Sequence, residues 1–253
     1  MYHIFAFVLG AAIGSFLNVL IYRLPNNVSI VTPRSFCPGC RKSIRWYENI
    51  PLLSYAVLGG RCSNCRMAIS LRYPAVELLT GLLYVYVFSR FGLGYAFFFM
   101  AFYFSALIAI SSIDFSHQII PDAISIPGII LGIVYHVIKG DFFVGLIGMV
   151  FGGGLILLIR VIGGKLYGKE VMGLGDVYLT AMIGAFVGFP FVLPAIFIGA
   201  LVGAIMGIAY IVSTKQDRES PIPFGPFLAI GGAAVVIFHR QVIELFALLG
   251  IYL

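Results

Sequence analysis

Four cysteines and two aspartates are the residues whose types and spacing could do chemistry in this chain. Cys37-Pro-Gly-Cys40 and Cys62-Ser-Asn-Cys65 are two C-x2-C pairs. Each offers two thiolates from one tight turn, and two such turns close a tetrahedral four-sulfur zinc site. With Cys37, Cys40, Cys62 and Cys65 all supplied by protein, that zinc would be structural, not catalytic. Redox or disulfide pairs, and thiols without metal, remain alternatives. The aspartates stand at the ends of apolar runs: Asp114 closes the run from Phe97 to Ile113, and Asp176 ends Val171-Met-Gly-Leu-Gly-Asp where another begins. A carboxylate at a membrane boundary is costly to keep and calls for a function and a partner. Two close carboxyl groups do not easily both ionise. One can then take a proton from water attacking a carbonyl while the other protonates that carbonyl. Gly173 and Gly175 would let a substrate backbone come close to Asp176.

Plainer readings exist for each acid. Asp176 could be an N-cap, since aspartate favours helix starts. Asp122, in Ile120-Pro121-Asp122, competes with Asp114 but reads better as helix initiation. His117 could tune either acid or simply be solvated. Glu77 could pair with Arg72 or with the polar insert, and Asn18 reads as an interhelical hydrogen-bonding residue.

The elements that must position these groups are membrane helices. The 253 residues are 61% hydrophobic and 10% charged, with mean hydropathy +1.05, far below the ~25% charge of soluble domains. Repeated long apolar runs predict an all-α polytopic membrane protein with about eight transmembrane helices. The spans are His3–Tyr22, Pro74–Phe91, Tyr95–Ile113, Ala123–Ile138, Phe142–Ile159, Leu174–Phe189, Phe191–Val212 and Phe224–Phe238. The tail after Arg240 is either an interfacial helix or a continuation of the last span. Between the first two spans lies the one long polar stretch, a small cytoplasmic zinc-binding insert. Three regions follow: 1–24, a first transmembrane helix; 25–72, the four-cysteine domain; and 73–253, a seven-helix domain. The chain shows no repeat of fixed period.

The net charge of +6 does not point to nucleic acid. Eight of the sixteen basic residues lie between Arg23 and Arg72, beside helices, as the positive-inside rule expects. With the N-terminus outside, thirteen of sixteen fall in inside loops, leaving Arg90, Lys139 and Arg240 outside. The first span has no basic region before it, so it reads as an uncleaved anchor rather than a signal peptide. That topology puts Asp114 and Asp176 at one membrane face.

With these residues in hand the chain resembles the prepilin peptidases, bacterial enzymes that are both type IV leader peptidase and N-methyltransferase. The matching pieces run in order: Gly14-Ser-Phe-Leu-Asn-Val-Leu-Ile-Tyr-Arg-Leu-Pro25, the C-x2-C pairs framing Glu48-Asn-Ile-Pro51 and Leu58-Gly-Gly60, and Ser70-Leu-Arg-Tyr-Pro-Ala-Val-Glu77. Then come Ile113-Asp114 with Ile120-Pro-Asp122, Gly173-Leu-Gly-Asp-Val177 and Pro223-Phe-Gly-Pro-Phe227. The second half alone resembles the wider G-x-G-D membrane aspartyl proteases. The resemblance implies that Asp114 and Asp176 are catalytic, with type IV pilin-like precursors as substrate in the bacterial inner membrane. A basic leader would be cut after a glycine at the cytoplasmic face, and the exposed residue, often phenylalanine, N-methylated from S-adenosylmethionine. Tyr178 departs from the lysine expected in many relatives. The methyl-donor site has only weak candidates, Gly59, Gly60 and Glu77. Two other readings are a leader peptidase that does not methylate, and a transporter or assembly scaffold with a zinc domain.

Overall fold

The computed structural model describes residues 1–214 and 223–248. Lys215 and Arg218, two of the thirteen basic residues expected in inside loops, lie outside the described residues, as does the tail beyond 248. Among the described residues the regular structure is helical apart from two isolated β-bridges, and most of the insert between α1 and α3 is turns and irregular backbone. It divides into two compact units, Met1–Ala109 and Ile110–Leu253.

The first unit holds α1 (Tyr2–Arg23), a 3-10 turn at Trp46–Asn49, α2 (Leu53–Val57), α3 (Arg72–Phe91) and the first part of α4 (Tyr95–His117). The helix α3 packs along α1. Small residues allow the approach: a Cβ on Gly14 would stand 2.7 Å from Glu77 Cα, and one on Gly10 2.8 Å from the Thr80 carbonyl. Asn18 Nδ2 crosses between the two helices to the carbonyl of Tyr73 (3.1 Å) and also reaches that of Gly14 (3.3 Å). Buried Arg23 donates to the carbonyls of Ser29 (2.7 Å) and Pro33 (2.6 Å), pinning the start of the insert to the end of α1. From α3, the Tyr84 hydroxyl meets Ser105 Oγ on α4 at 3.1 Å.

The second unit is built around α7 (Leu174–Val187), with α5 (Asp122–Lys139), α6 (Phe142–Tyr167), α8 (Val192–Thr214) and α9 (Gly225–Ile237) packed on it, and α10 (His239–Leu248) last. Every residue of α7 from Leu179 to Phe186 is buried. Its contact with α6 is backbone on backbone, Gly148 against Gly184. At the far end of α5, buried His136 engages Asp141 through Nδ1 (2.7 Å) and the Phe186 carbonyl through Nε2 (3.2 Å), tying α5, the α5–α6 turn and α7 together.

Among the described residues five helices are long and apolar enough to cross a membrane, or six if α9 and α10, bent by 83°, count as one span. The expected eight are therefore not matched one for one. The helix α3 carries Arg72, Glu77 and Arg90, which dilute its apolar character. The 14 residues of α7 extend about 21 Å, short of the ~30 Å hydrocarbon core. Beyond its expected end, α6 continues to Tyr167, and α10 turns away as a separate helix carrying an Arg240–Glu244 pair at 3.0 Å.

Gly148→Leu is expected to destabilise the protein by at least ~1–3 kcal/mol, because α6 must move off α7. Gly154→Leu, on the same helix with nothing within 4 Å of the added Cβ, is expected to be tolerated. Unfolding in detergent distinguishes the two.

Candidate functional site

The second unit brings both sequence-singled aspartates into one neighbourhood. Asp114 lies in the last turn of α4, which runs on to His117 instead of ending before the acid. It is 5% exposed, and its Oδ2 accepts the Gly225 N–H at 2.9 Å. Gly225 opens α9, and no side chain fits there: its Cβ would lie 2.7 Å from that same oxygen. Asp176, 9% exposed, sits in the first turn of α7, where its Oδ2 accepts the Gly173 N–H at 3.2 Å. The capping alternative is thus partly realised, with Gly173 at the cap position and Asp176 reaching back to it. Asp114 lies within Coulombic reach of the Asp176 carboxyl. Ile120 wedges beside both, since a Cβ on Gly175 would meet Ile120 Cβ at 2.7 Å and one on Gly225 its Cδ1 at 3.2 Å.

The loop before α7 is held from α6. Arg160 donates through one nitrogen to the Met172 carbonyl (2.9 Å) and through the other to Glu170 (2.7 Å). Read from sequence, Arg160 was only a topology charge; its cross-loop bond has no local signature. Gly225 likewise stood within Pro223-Phe-Gly-Pro-Phe227 without a stated role. Asp122 and His117 are exposed, Asp122 as the first residue of α5, and Tyr178 is half-buried beyond Val177. The arrangement is two buried carboxyl groups within Coulombic reach of each other, each fixed by a backbone N–H, and such a pair does not easily ionise twice.

In the first unit the four cysteine sulfurs lie within 4.8 Å of one another, with no disulfide. Cys37 Sγ is 3.7 Å from Cys65 Sγ, and Cys40 Sγ 4.0 Å from Cys62 Sγ. A tetrahedron with Zn–S bonds of ~2.3 Å has edges of about 3.8 Å, so the donor set fits zinc. The insert also contains a repeat that is hard to see in sequence. The bridge Phe36–Ser43 recurs as Arg61–Ala68. The bonds Cys37 N–H to Lys42 O and Arg41 N–H to Cys37 O recur as Cys62 N–H to Met67 O and Arg66 N–H to Cys62 O. Arg41 and Arg66 share the left-handed conformation. Cys-x-x-Cys-Arg is all that the two copies plainly share before their closing isoleucines, which hides the duplication. Backbone N–H groups aim at the sulfurs: those of Cys65 and Asn64 lower the Cys62 pKa to about 6, and that of Lys42 lowers Cys40. Both shifts favour the thiolate that binds metal, while Cys65 is pushed up to about 11, its bond from the Met67 N–H outweighed by burial and the three neighbouring sulfurs.

Glu77 does not pair with Arg72. Its Oε2 accepts the Leu52 N–H at 2.8 Å, holding the insert to α3 where Leu52 adopts φ +62. Glu77 lines a cavity of about 550 Å³ between α1, α3 and the insert. Gly59 and Gly60 are not in its lining; Gly60 packs against the Tyr55 hydroxyl, 2.8 Å from where its Cβ would be, and Tyr55 is in the lining.

Residues 8–91 match the family model for the bacterial Peptidase A24 N-terminal domain, and residues 101–208 that for the type IV leader peptidase family. A prepilin leader peptidase/N-methyltransferase of Myxococcus xanthus is 41% identical over 218 residues, covering 85% of this chain and 65% of the relative, just under two thirds of its length. A protein of the same name from Pseudomonas aeruginosa is 36% identical over 260 residues, covering 93% and 90%. One from Stutzerimonas stutzeri is 36% identical over 264 residues, covering 94% and 91%. No solved structure matches the chain.

Purified protein is expected to carry one zinc per chain by elemental analysis. Cys62→Ser, which removes a ligand outright, is expected to lower zinc affinity by more than the ~10-fold typical of losing a supporting partner.

Proposed function

The chain belongs to the type IV leader peptidase family, and from that membership we propose that it cuts the leader from type IV pilin-like precursors and N-methylates the new terminus. The observation that carries the cleavage reading is the buried pair Asp114 and Asp176, each anchored by one backbone N–H. With one proton shared, the ionised carboxylate takes a proton from water as its oxygen bonds to the scissile carbonyl carbon. The neutral carboxyl protonates that carbonyl oxygen. Collapse of the tetrahedral intermediate breaks the C–N bond, and a proton passes to the leaving amine. Gly173 and Gly225 hold the acids, and Arg160 holds the loop that delivers Asp176.

The charge distribution supports a multi-pass protein of the bacterial inner membrane with its N-terminus outside and both aspartates at the cytoplasmic face. The duplicated cysteine insert there holds a structural zinc. Methylation would use S-adenosylmethionine, which when bound would supply an electrophilic methyl to the new terminal amine, with the thioether as leaving group and the amine proton passing to water. Glu77, Gly59 and Gly60 belong to this part of the chain, Glu77 as a clamp on the insert.

Asp114→Asn and Asp176→Asn are each expected to reduce cleavage of a pilin-like precursor by at least ~10²–10⁴-fold with the fold retained. Normal processing by both variants would instead favour a transporter or scaffold. An unmethylated mature product in the presence of the methyl donor would leave a peptidase alone. Arg160→Ala is expected to lower cleavage by about 10- to 100-fold through misplacement of Asp176, measured as initial rates on the same precursor.

A further inference from the structure

The cavity of about 550 Å³ in the first unit lies within the ~300–1,000 Å³ usual for small-molecule sites. Its walls carry two buried polar atoms without partners. Asn18, 3% exposed, spends both donors of its amide on the carbonyls of Gly14 and Tyr73. That fixes the orientation of the amide and leaves Oδ1 with no hydrogen bond. Arg72 Nε is likewise buried and without a partner, while its guanidinium stands 5.6 Å from the Tyr73 ring centroid. A buried donor and a buried acceptor left unmade in one cavity are costly unless a ligand completes them.

The chemistry of the walls narrows that ligand. Arg72 asks for an anion, a carboxylate or a phosphate, and beside two glutamates the singly charged carboxylate is the less repelled of the two. Asn18 Oδ1 asks for an N–H. The carboxylates of Glu48 and Glu77 also line the cavity, which favours positive charge within it. Both are held by backbone donors, Glu48 by the Arg45 N–H at 3.0 Å and Glu77 by that of Leu52. Tyr55 and Tyr73 add aromatic surface for a flat ring. A carboxylate, an ammonium, a second positive centre and a planar base are the parts of an aminoacyl nucleoside sulfonium.

We propose that this cavity is the binding site for S-adenosylmethionine, with Arg72 receiving the carboxylate of its amino-acid moiety and Asn18 Oδ1 its ammonium group. The assignment rests on the methyltransferase reading and places its donor in the first unit, away from Asp114 and Asp176 in the chain. Gly60 acts only as support for Tyr55, and Gly59 has no part in the site.

The test is calorimetric binding to full-length, zinc-loaded protein in nanodiscs. The probes are S-adenosylhomocysteine, which carries the amino-acid group, and 5′-methylthioadenosine, which lacks it. Arg72→Met is expected to weaken the first at least ~10-fold, as loss of a charged hydrogen bond implies, and the second less than about 2-fold. That collapse of the ratio is a coupling that a merely structural role would not produce. Val19→Phe, which fills the cavity without deleting a polar group, is expected to abolish binding of both while zinc is retained, and it decides the matter if Arg72→Met does not fold. An unchanged ratio in folded Arg72→Met, or wild-type binding by Val19→Phe, overturns the assignment. Wild-type protein that neither binds S-adenosylhomocysteine nor methylates its product overturns the methyltransferase reading itself.

Discussion

A helix of fourteen residues cannot cross a hydrocarbon layer by itself, and the second unit depends on how that shortfall is met. Lipid tolerates an end of this kind only where protein surrounds it. The structure supplies the surroundings by wrapping α7 on all sides, with glycine backbones replacing side chains where α6 comes closest. The early start of burial puts Asp176, on the first turn, inside protein rather than inside lipid. The carboxylate is then obliged to find donors in the chain, and it finds Gly173. The same logic governs Asp114, which α4 carries inward and Gly225 receives.

Much of this was legible from residue types. The cysteine spacing implied a tetrahedral donor set, and the sulfur separations of 3.7 and 4.0 Å suit one. The aspartates stood out because carboxylates are rare beside apolar runs. Their partners were hidden for a physical reason: Gly225 is 111 residues from Asp114, and it contributes a main-chain N–H that every residue but proline has. Arg160 was similarly masked, since a basic residue after an apolar run already has a sufficient explanation in topology.

In the first unit the partners were harder to read. The eight expected spans include α3, at whose start Glu77 and Arg72 face the insert and cavity. The near-identity of the two knuckles lies in their hydrogen bonds and not in their side chains, so a search for repeated residues passes over it. Conversely, the glycines near the second knuckle drew notice by composition, while the two atoms that most need a ligand belong to Asn18 and Arg72, each with an ordinary explanation in sequence.

The duplication also bears on what each half of the insert can do by itself. Each knuckle brings two sulfurs, so neither can close a four-sulfur metal site alone, and an insert of this size has little core of its own. The stretch between the knuckles carries Leu52, whose N–H donates to Glu77 of α3. The segment that must fold back for the four sulfurs to meet is therefore the same one that is fastened to a helix, and a ligand lost from either knuckle would loosen that fastening as well as the cluster.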